Sequence, residues 1–283
     1  MPGLKEQLHN RLFAIRWGGH SLISLYISIL SGIVLGLQYN PAEPFYSVAT
    51  IELAVPFGSF WRSLHYYSSQ AFFILLLIHL ALSIWQKKVS FSPSAWLRLS
   101  AAVPLALFLL FTGYILRGDA TGEAAGAIAE NILLSIRLLG RPLNQLLFDV
   151  HAVGVQKVYL NHVAGLMVLG GIAVWPHIRR YTALWRNHIP LSLLLLVTAV
   201  LLPTPMEPER FGLLHIAGPW FFLGLQELLR YLPIFWAGVF APAIPVGILL
   251  FLPSQGKART WCLLVLTIWL AGYLLLTGLS LPR

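Results

Sequence analysis

Seven apolar runs, near residues 21–38, 66–86, 99–116, 158–177, 184–202, 233–252 and 260–279, constrain this chain more than any other feature. Each approaches or exceeds the ~20 residues with which an α-helix crosses a hydrocarbon core of about 30 Å. Prolines bound or interrupt the fifth and sixth runs (Pro190, Pro203, Pro242, Pro245). The expected fold class is all-α, a polytopic transmembrane bundle of about seven spans. Composition agrees: 58% of residues are hydrophobic and 10% charged, against roughly 25% charged in a soluble domain.

The net charge of +9 could point to nucleic acid, but its distribution argues against that partner. With the N-terminus on the cytoplasmic side, the cytoplasmic segments hold Lys5, Arg11, Arg16, Lys87, Lys88, Arg98, Arg179, Arg180, Arg186, Lys257 and Arg259, against a single acid, Glu6. The remaining acids all fall on the opposite side. This is the positive-inside bias of a multi-pass protein in a lipid membrane, and seven spans then leave Arg283 outside. The opening stretch MPGLKEQLHNRLFAIRW lacks an apolar signal-peptide core, so the first span is expected to act as the anchor. The single cysteine, Cys262, excludes internal disulfides, iron–sulfur ligation by this chain alone and a CxxCH haem attachment.

Four histidines lie in two pairs inside the apolar runs: His65 with His79, and His162 with His177. An ionisable residue within a span is costly and marks function by default. The spacings are 14 and 15 residues; at about 100° per residue each pair lies within about 40° to 60° of one helix face. Two such helices face to face would offer two stacked His–His sites ~21–22 Å apart, a separation that suits two haems in one bilayer. A lone intramembrane histidine is more simply a hydrogen-bonding partner for a neighbouring helix, but two spaced pairs are not. Imidazole at both axial positions suits electron transfer, because no position is left open for oxygen. One tetrahedral zinc could not use both histidines of a pair ~21 Å apart.

The residues around these histidines carry a family resemblance. The stretch RSLHYYSSQAFFILLLIHLALSIW, with Arg62 three residues before His65, resembles the second helix of cytochrome b from quinol-oxidising cytochrome bc complexes. Gly18 and Gly32 stand 14 apart like the family's helix-A glycines, and Gly113 in TGYIL matches a helix-C glycine. ENILLSIRLLGRPL (Glu130 to Leu143) is similar to the segment before the fourth helix, and NHVAGLMVLGGIAVWPH has the 15-residue spacing of the plastid-type branch. GPWFFLGLQELLRYLP (Gly218 to Pro233) resembles more weakly the segment that begins Pro-Glu-Trp-Tyr. The resemblance implies a four-helix dihaem portion over residues 1–185 and a three-helix portion over 186–283, the latter a separate subunit in some relatives.

It also implies two haem b groups, with His65 and His162 holding the iron nearer the outer face and His79 and His177 the iron nearer the cytoplasm. Arg62 would meet a haem propionate, and Gly18, Gly32 and Gly113 would make room for the macrocycles. Arg16, His20, Arg179 and Arg180 gather on the cytoplasmic side as candidates for quinone carbonyls or propionates, with the positive-inside bias as the alternative reason for the arginines. His9, His151 and His188 read as solvent-facing.

Several positions depart from the family pattern. The glutamate of Pro-Glu-Trp-Tyr, which would accept a quinol proton, aligns with Pro219; the Pro-Trp-Gly motif after the third helix is replaced by Arg117, Gly118 and Asp119. A second helix-C glycine is Leu99, an arginine after His79 is Leu82, and the cysteine of the plastid branch's extra haem is Arg16. Asp119, Glu123, Glu227 and His215 fall on the outer side as replacements for the proton acceptor, each competing with the reading of a solvated loop residue.

The expected function is a dihaem b-type cytochrome subunit of a respiratory quinol oxidoreductase in a bacterial inner membrane. It would pass electrons between quinone (menaquinone or ubiquinone) and a Rieske-type iron–sulfur protein or a c-type cytochrome, multihaem ones included, as a homodimer within a larger complex. The alternatives are an electron conduit to an extracytoplasmic multihaem cytochrome without a bifurcating outer quinol site, and a non-redox anchor subunit.

Overall fold

The computed structural model describes residues 14–86, 91–181, 183–209, 216–252 and 255–281. His9, Lys87, Lys88 and His215 lie outside the described residues. Among the described residues every regular element is helical. Five helices are long and apolar enough to cross a membrane: α1 (Trp17–Gly36), α3 (Gly58–Gln86), α4 (Pro93–Ile115), α8 (Gln156–Ile178) and α12 (Gly256–Ser280). Two shorter apolar helices, α9 (Trp185–Leu201) and α11 (Trp236–Leu250), occupy the fifth and sixth expected runs. The connections carry helices the apolar pattern does not announce: α2 (Pro44–Leu53), α5 (Ala120–Leu134), α6 (Gly140–Leu147), the single turn α7 (Val150–Val153) and α10 (Leu223–Leu228).

Local chemistry sets the ends. Ser92 caps α4, accepting a hydrogen bond from the Ala95 amide with Pro93 in the first turn, where a missing N–H costs nothing. Asp119 caps α5 by accepting from the Gly122 amide at 2.9 Å. Gly118, at φ +64°, makes the turn before it, and a Cβ there would lie 2.6 Å from the Phe45 nitrogen. The replacement of Pro-Trp-Gly by Arg117, Gly118 and Asp119 is therefore a capped turn.

Two compact units are formed. The first comprises residues 1–38, 50–90 and 175–205. Here α1 packs along α3 with Ser21, Ser24, Ser28 and Ser31 buried on one face, Ser21 donating to the Phe72 carbonyl. Small residues let helix backbones approach where lipid offers no hydrophobic drive. Ile23, Ile27, Leu64, Leu195 and Ala199 form the core of this unit. The second comprises residues 39–49, 91–174 and 206–283. In it α10 packs on α12, where the Tyr273 hydroxyl donates to the Phe221 carbonyl at 2.7 Å, and Trp96 of α4 donates to the Leu249 carbonyl at 2.8 Å. Large exposed apolar residues such as Leu30, Val168, Ile172, Ile268 and Leu274 are what lipid contact requires of a membrane bundle.

Candidate functional site

In the first unit, His79 on α3 and His177 in the last turns of α8 bring their ring centroids to 6.4 Å, with the planes inclined at 46°. Two imidazoles bound end-on to one iron through nitrogens at about 2 Å would hold their centroids about 6 Å apart. The separation therefore fits one iron. Gly18 of α1 lies against His79: a Cβ there would stand 3.1 Å from its Cε1.

At the other end of α3, His65 meets α1 in the same way. A Cβ on Gly32 would lie 2.8 Å from His65 Cε1. The Nδ1–H of His65 donates to the Ser28 carbonyl at 2.9 Å, which places the proton on Nδ1 and leaves the Nε2 lone pair for a metal. The second unit repeats the construction with other residues. His162 Nδ1–H donates to the Thr112 hydroxyl at 2.9 Å, and that hydroxyl donates onward to the Phe108 carbonyl at 2.8 Å. A Cβ on the adjacent Gly113 would lie 3.0 Å from His162 Cε1. Oriented imidazoles facing glycines are a donor set and a cradle that fit haem. Ser28 and Thr112 escape sequence reading because serine and threonine are ordinary in membrane helices; their one signal is position, four residues before Gly32 and one before Gly113.

Arg62, expected beside a propionate, has another set of partners in this structure. Its Nε donates to Glu52 at 2.6 Å, and its remaining nitrogens reach the Thr204 and Pro205 carbonyls. The Thr204 amide also donates to Ser63 Oγ at 2.9 Å, so the end of α9 is fastened to the start of α3. Glu52 carried no signal in the sequence.

Of the residues expected on the cytoplasmic side, Arg16, Arg179 and Arg180 are exposed, and His20 Nδ1 donates to the Arg16 carbonyl at 3.0 Å. The neighbour of His20 is unexpected. His188, read from sequence as solvent-facing, is 1% exposed. Its ring stands edge-on to His20 with centroids 4.5 Å apart, against the backbone of Gly19, where a Cβ would lie 2.7 Å from its Cε1. The error has a simple cause: WRNH precedes an apolar run and reads as interfacial, but one 3₁₀ turn, Trp185–His188, folds the ring inward.

The acids expected on the outer side divide into an exposed one and two buried ones. Glu123 is exposed. Asp119, read as solvated, is 3% exposed and occupied as a cap, with Arg117 and the Thr121 hydroxyl as further partners. Glu227, also read as solvated, is 1% exposed and accepts from the Tyr231 hydroxyl at 2.8 Å and from Arg230 at 3.3 Å. A cleft in the same unit is lined by Phe111, Thr121, Ile128, Pro219, Phe222 and Gln226 among others, and every side chain named on its wall is uncharged. Gln226 holds the Gly218–Pro219 turn in place, accepting from the Gly218 amide at 2.7 Å and donating to the Ile216 carbonyl at 2.6 Å.

Glu130 is a polar centre that the sequence did not single out. It is 2% exposed and accepts from Asn144 at 2.9 Å and from the His151 amide at 3.2 Å, with the largely exposed His151 ring as a further partner. It thus staples α5 to α6 and α7. Burial alone would raise its pKa, but the hydrogen bonds from Asn144 and His151 outweigh burial and hold it below its ordinary value of 4.5. A carboxyl with a depressed native pKa stabilises above its unfolded value, and that stability is lost as pH falls through the native one. Melting of the detergent-solubilised protein is therefore expected to lose about 1–2 kcal/mol below pH ~4.5 through this group. Glu130→Gln is expected to be less stable at neutral pH and flatter on the acid side; equal acid slopes for both proteins would contradict the staple.

Fold and site together define a class: an all-helical membrane protein with imidazoles on its apolar helices, three of them turned toward a glycine, in an arrangement suited to haem. The chain belongs to the cytochrome b/b6 family, whose model (cytochrome b/b6/petB) matches residues 7–179. It is 24% identical to cytochrome b of Bugula neritina over 86% of this chain and 77% of that protein. It is 29% identical to cytochrome b6 of Heliomicrobium gestii over 56% of this chain and 75% of that one. A chain of the solved structure "Hyperthermophilic respiratory Complex III" shares the fold, with a TM-score of 0.67 over 93% of this chain and 82% of that chain at 20% identity. Membership of the family brings haem b binding and membrane electron transport with it.

Proposed function

We propose that the chain is the dihaem cytochrome b subunit of a membrane quinol oxidoreductase complex. His79 and His177 hold the haem nearer the cytoplasm, and His65 and His162 the haem nearer the outer face. The observation that carries this reading is the 6.4 Å separation of the His79 and His177 rings beside Gly18. Haem iron between two imidazoles supplies one-electron exchange with no open coordination position. The chain's part is to orient the rings through Ser28 and Thr112, to exclude water with its apolar helices and to bind quinone. Residues 1–185 form the dihaem portion and residues 186–283 the three-helix portion. The N-terminus faces the cytoplasm of a bacterial inner membrane.

On the cytoplasmic side Arg16, His20, Arg179 and Arg180 offer hydrogen-bond donors to menaquinone or ubiquinone, or to haem propionates. The partners are a Rieske-type iron–sulfur protein or a c-type cytochrome, in a homodimeric complex. Purified protein is expected to give a b-type reduced-minus-oxidised band and two haems per chain by pyridine haemochrome assay; absence of the band would remove every redox role.

A second reading is favoured by the uncharged outer cleft, where Pro219 offers no proton acceptor. In it the chain conducts electrons to an outer multihaem cytochrome without oxidising quinol at that face. Inhibitors of outer quinol oxidation separate the two: blocked turnover in the intact complex supports the first reading, and unaffected turnover the second.

A further inference from the structure

The two histidine pairs differ in spacing by one residue, 14 on α3 and 15 on α8. In a regular α-helix one residue is about 100° of phase and 1.5 Å of rise. The pairs would then lie about 40° short of four turns on α3 and about 60° beyond four turns on α8. Helices so mismatched share a pair of irons only if about 100° of relative phase is taken up by side-chain rotamers or by the helices themselves.

The mismatch is met inside α8. Asn161–Gly165 is a π turn, interrupting an otherwise α-helical segment, and His162 is its second residue. A turn closed by i→i+5 bonds holds about one residue more than an α turn. Val163, Ala164 and Gly165 of the turn lie between His162 and His177, where room for one further residue would bring the pair toward the 14-residue phase of α3.

The turn is held by its own side chains. Asn161 Nδ2 donates to the Leu146 and Leu147 carbonyls at 2.8 and 3.1 Å, binding its first residue to the end of α6. At its last residue a Cβ on Gly165 would lie 2.8 Å from Asn161 Oδ1, so a side chain there would push against that anchor. Between them, Thr112 fixes the His162 ring.

We propose that the π turn Asn161–Gly165 is a register device, which matches the ligand spacing of α8 to that of α3 and so allows one pair of helices to hold two haems. The proposal rests on the dihaem reading, which haem content of the unaltered complex tests separately. If that complex holds fewer than two haems per chain, it is the dihaem reading that fails.

Given two haems in the unaltered complex, two deletions decide the matter. Both reduce the spacing to 14. Deletion of Ala164 removes the extra residue from the π turn and is expected to keep two haems per chain. Deletion of Ala173 leaves the turn in place, rotates His177 by about 100° and is expected to lose the cytoplasmic haem. Equal haem content in the two would overturn the proposal. Should neither variant accumulate, Gly165→Ala decides, with Gly170→Ala as its control because a Cβ at Gly170 meets nothing within 4 Å. Gly165→Ala is expected to shift the low-spin haem EPR signal while Gly170→Ala does not; an unshifted Gly165→Ala signal would overturn the proposal.

Discussion

Purified His79→Leu protein is expected to carry about one haem per chain where the unaltered protein carries two, and to have lost electron transfer across the membrane. Leucine fills the volume against Gly18 but donates no lone pair, so His177 is left as a single ligand. Loss of groups that merely orient a metal ligand costs about 10–100-fold in affinity or activity, so loss of the ligand itself exceeds that range. The helix is expected to survive, because leucine suits a membrane span better than histidine does. The same protein, extracted and scanned from oxidised to reduced, should keep an α-band of about half amplitude. A full-amplitude band from His79→Leu would show that this ring holds no iron.

The second large effect concerns space. Gly32→Val is expected to expel the outer haem as completely as loss of a ligand, although valine touches no metal. A Cβ at position 32 already stands 2.8 Å from His65 Cε1, and the two further carbons of valine occupy the place of the ring. Overpacking of this kind costs roughly 1–3 kcal/mol in a core that can relax. Here the ring is also tied to the Ser28 carbonyl, which limits relaxation. Haem content near one per chain, with the α-helical circular dichroism unchanged, is the expected result. Gly272→Val, where a Cβ meets nothing within 4 Å, is expected to keep both haems. Two haems in Gly32→Val would show that the glycine serves helix packing alone.

The spans were legible because bilayer thickness imposes a length that composition alone reveals; even the proline-bounded runs at α9 and α11 formed helices where they were expected. The four histidines stood out for a related reason, because charge and polarity are rare inside a membrane, whereas Gly18, Gly32 and Gly113 stood out only by spacing and family resemblance. The connections were another matter. The helices α2, α5, α6 and α7 lie in mixed sequence whose partners are distant residues, and Glu130 gains its meaning only from Asn144 and His151 across three helices. Asp119 and Glu227 stand in the sequence as either proton acceptors or solvated acids, yet one is a buried cap and the other is buried with Tyr231 and Arg230 as partners.

By itself, the order of residues determined that this protein crosses a membrane several times and which imidazoles lie within its apolar runs, because transfer free energy and helical periodicity act locally along the chain. Only the tertiary structure decided that Arg62 pairs with Glu52, that His188 is buried against Gly19 and His20, and that a π turn carries His162. Each of those outcomes depends on what a second helix brings within hydrogen-bonding or van der Waals reach, and no local pattern encodes that distance.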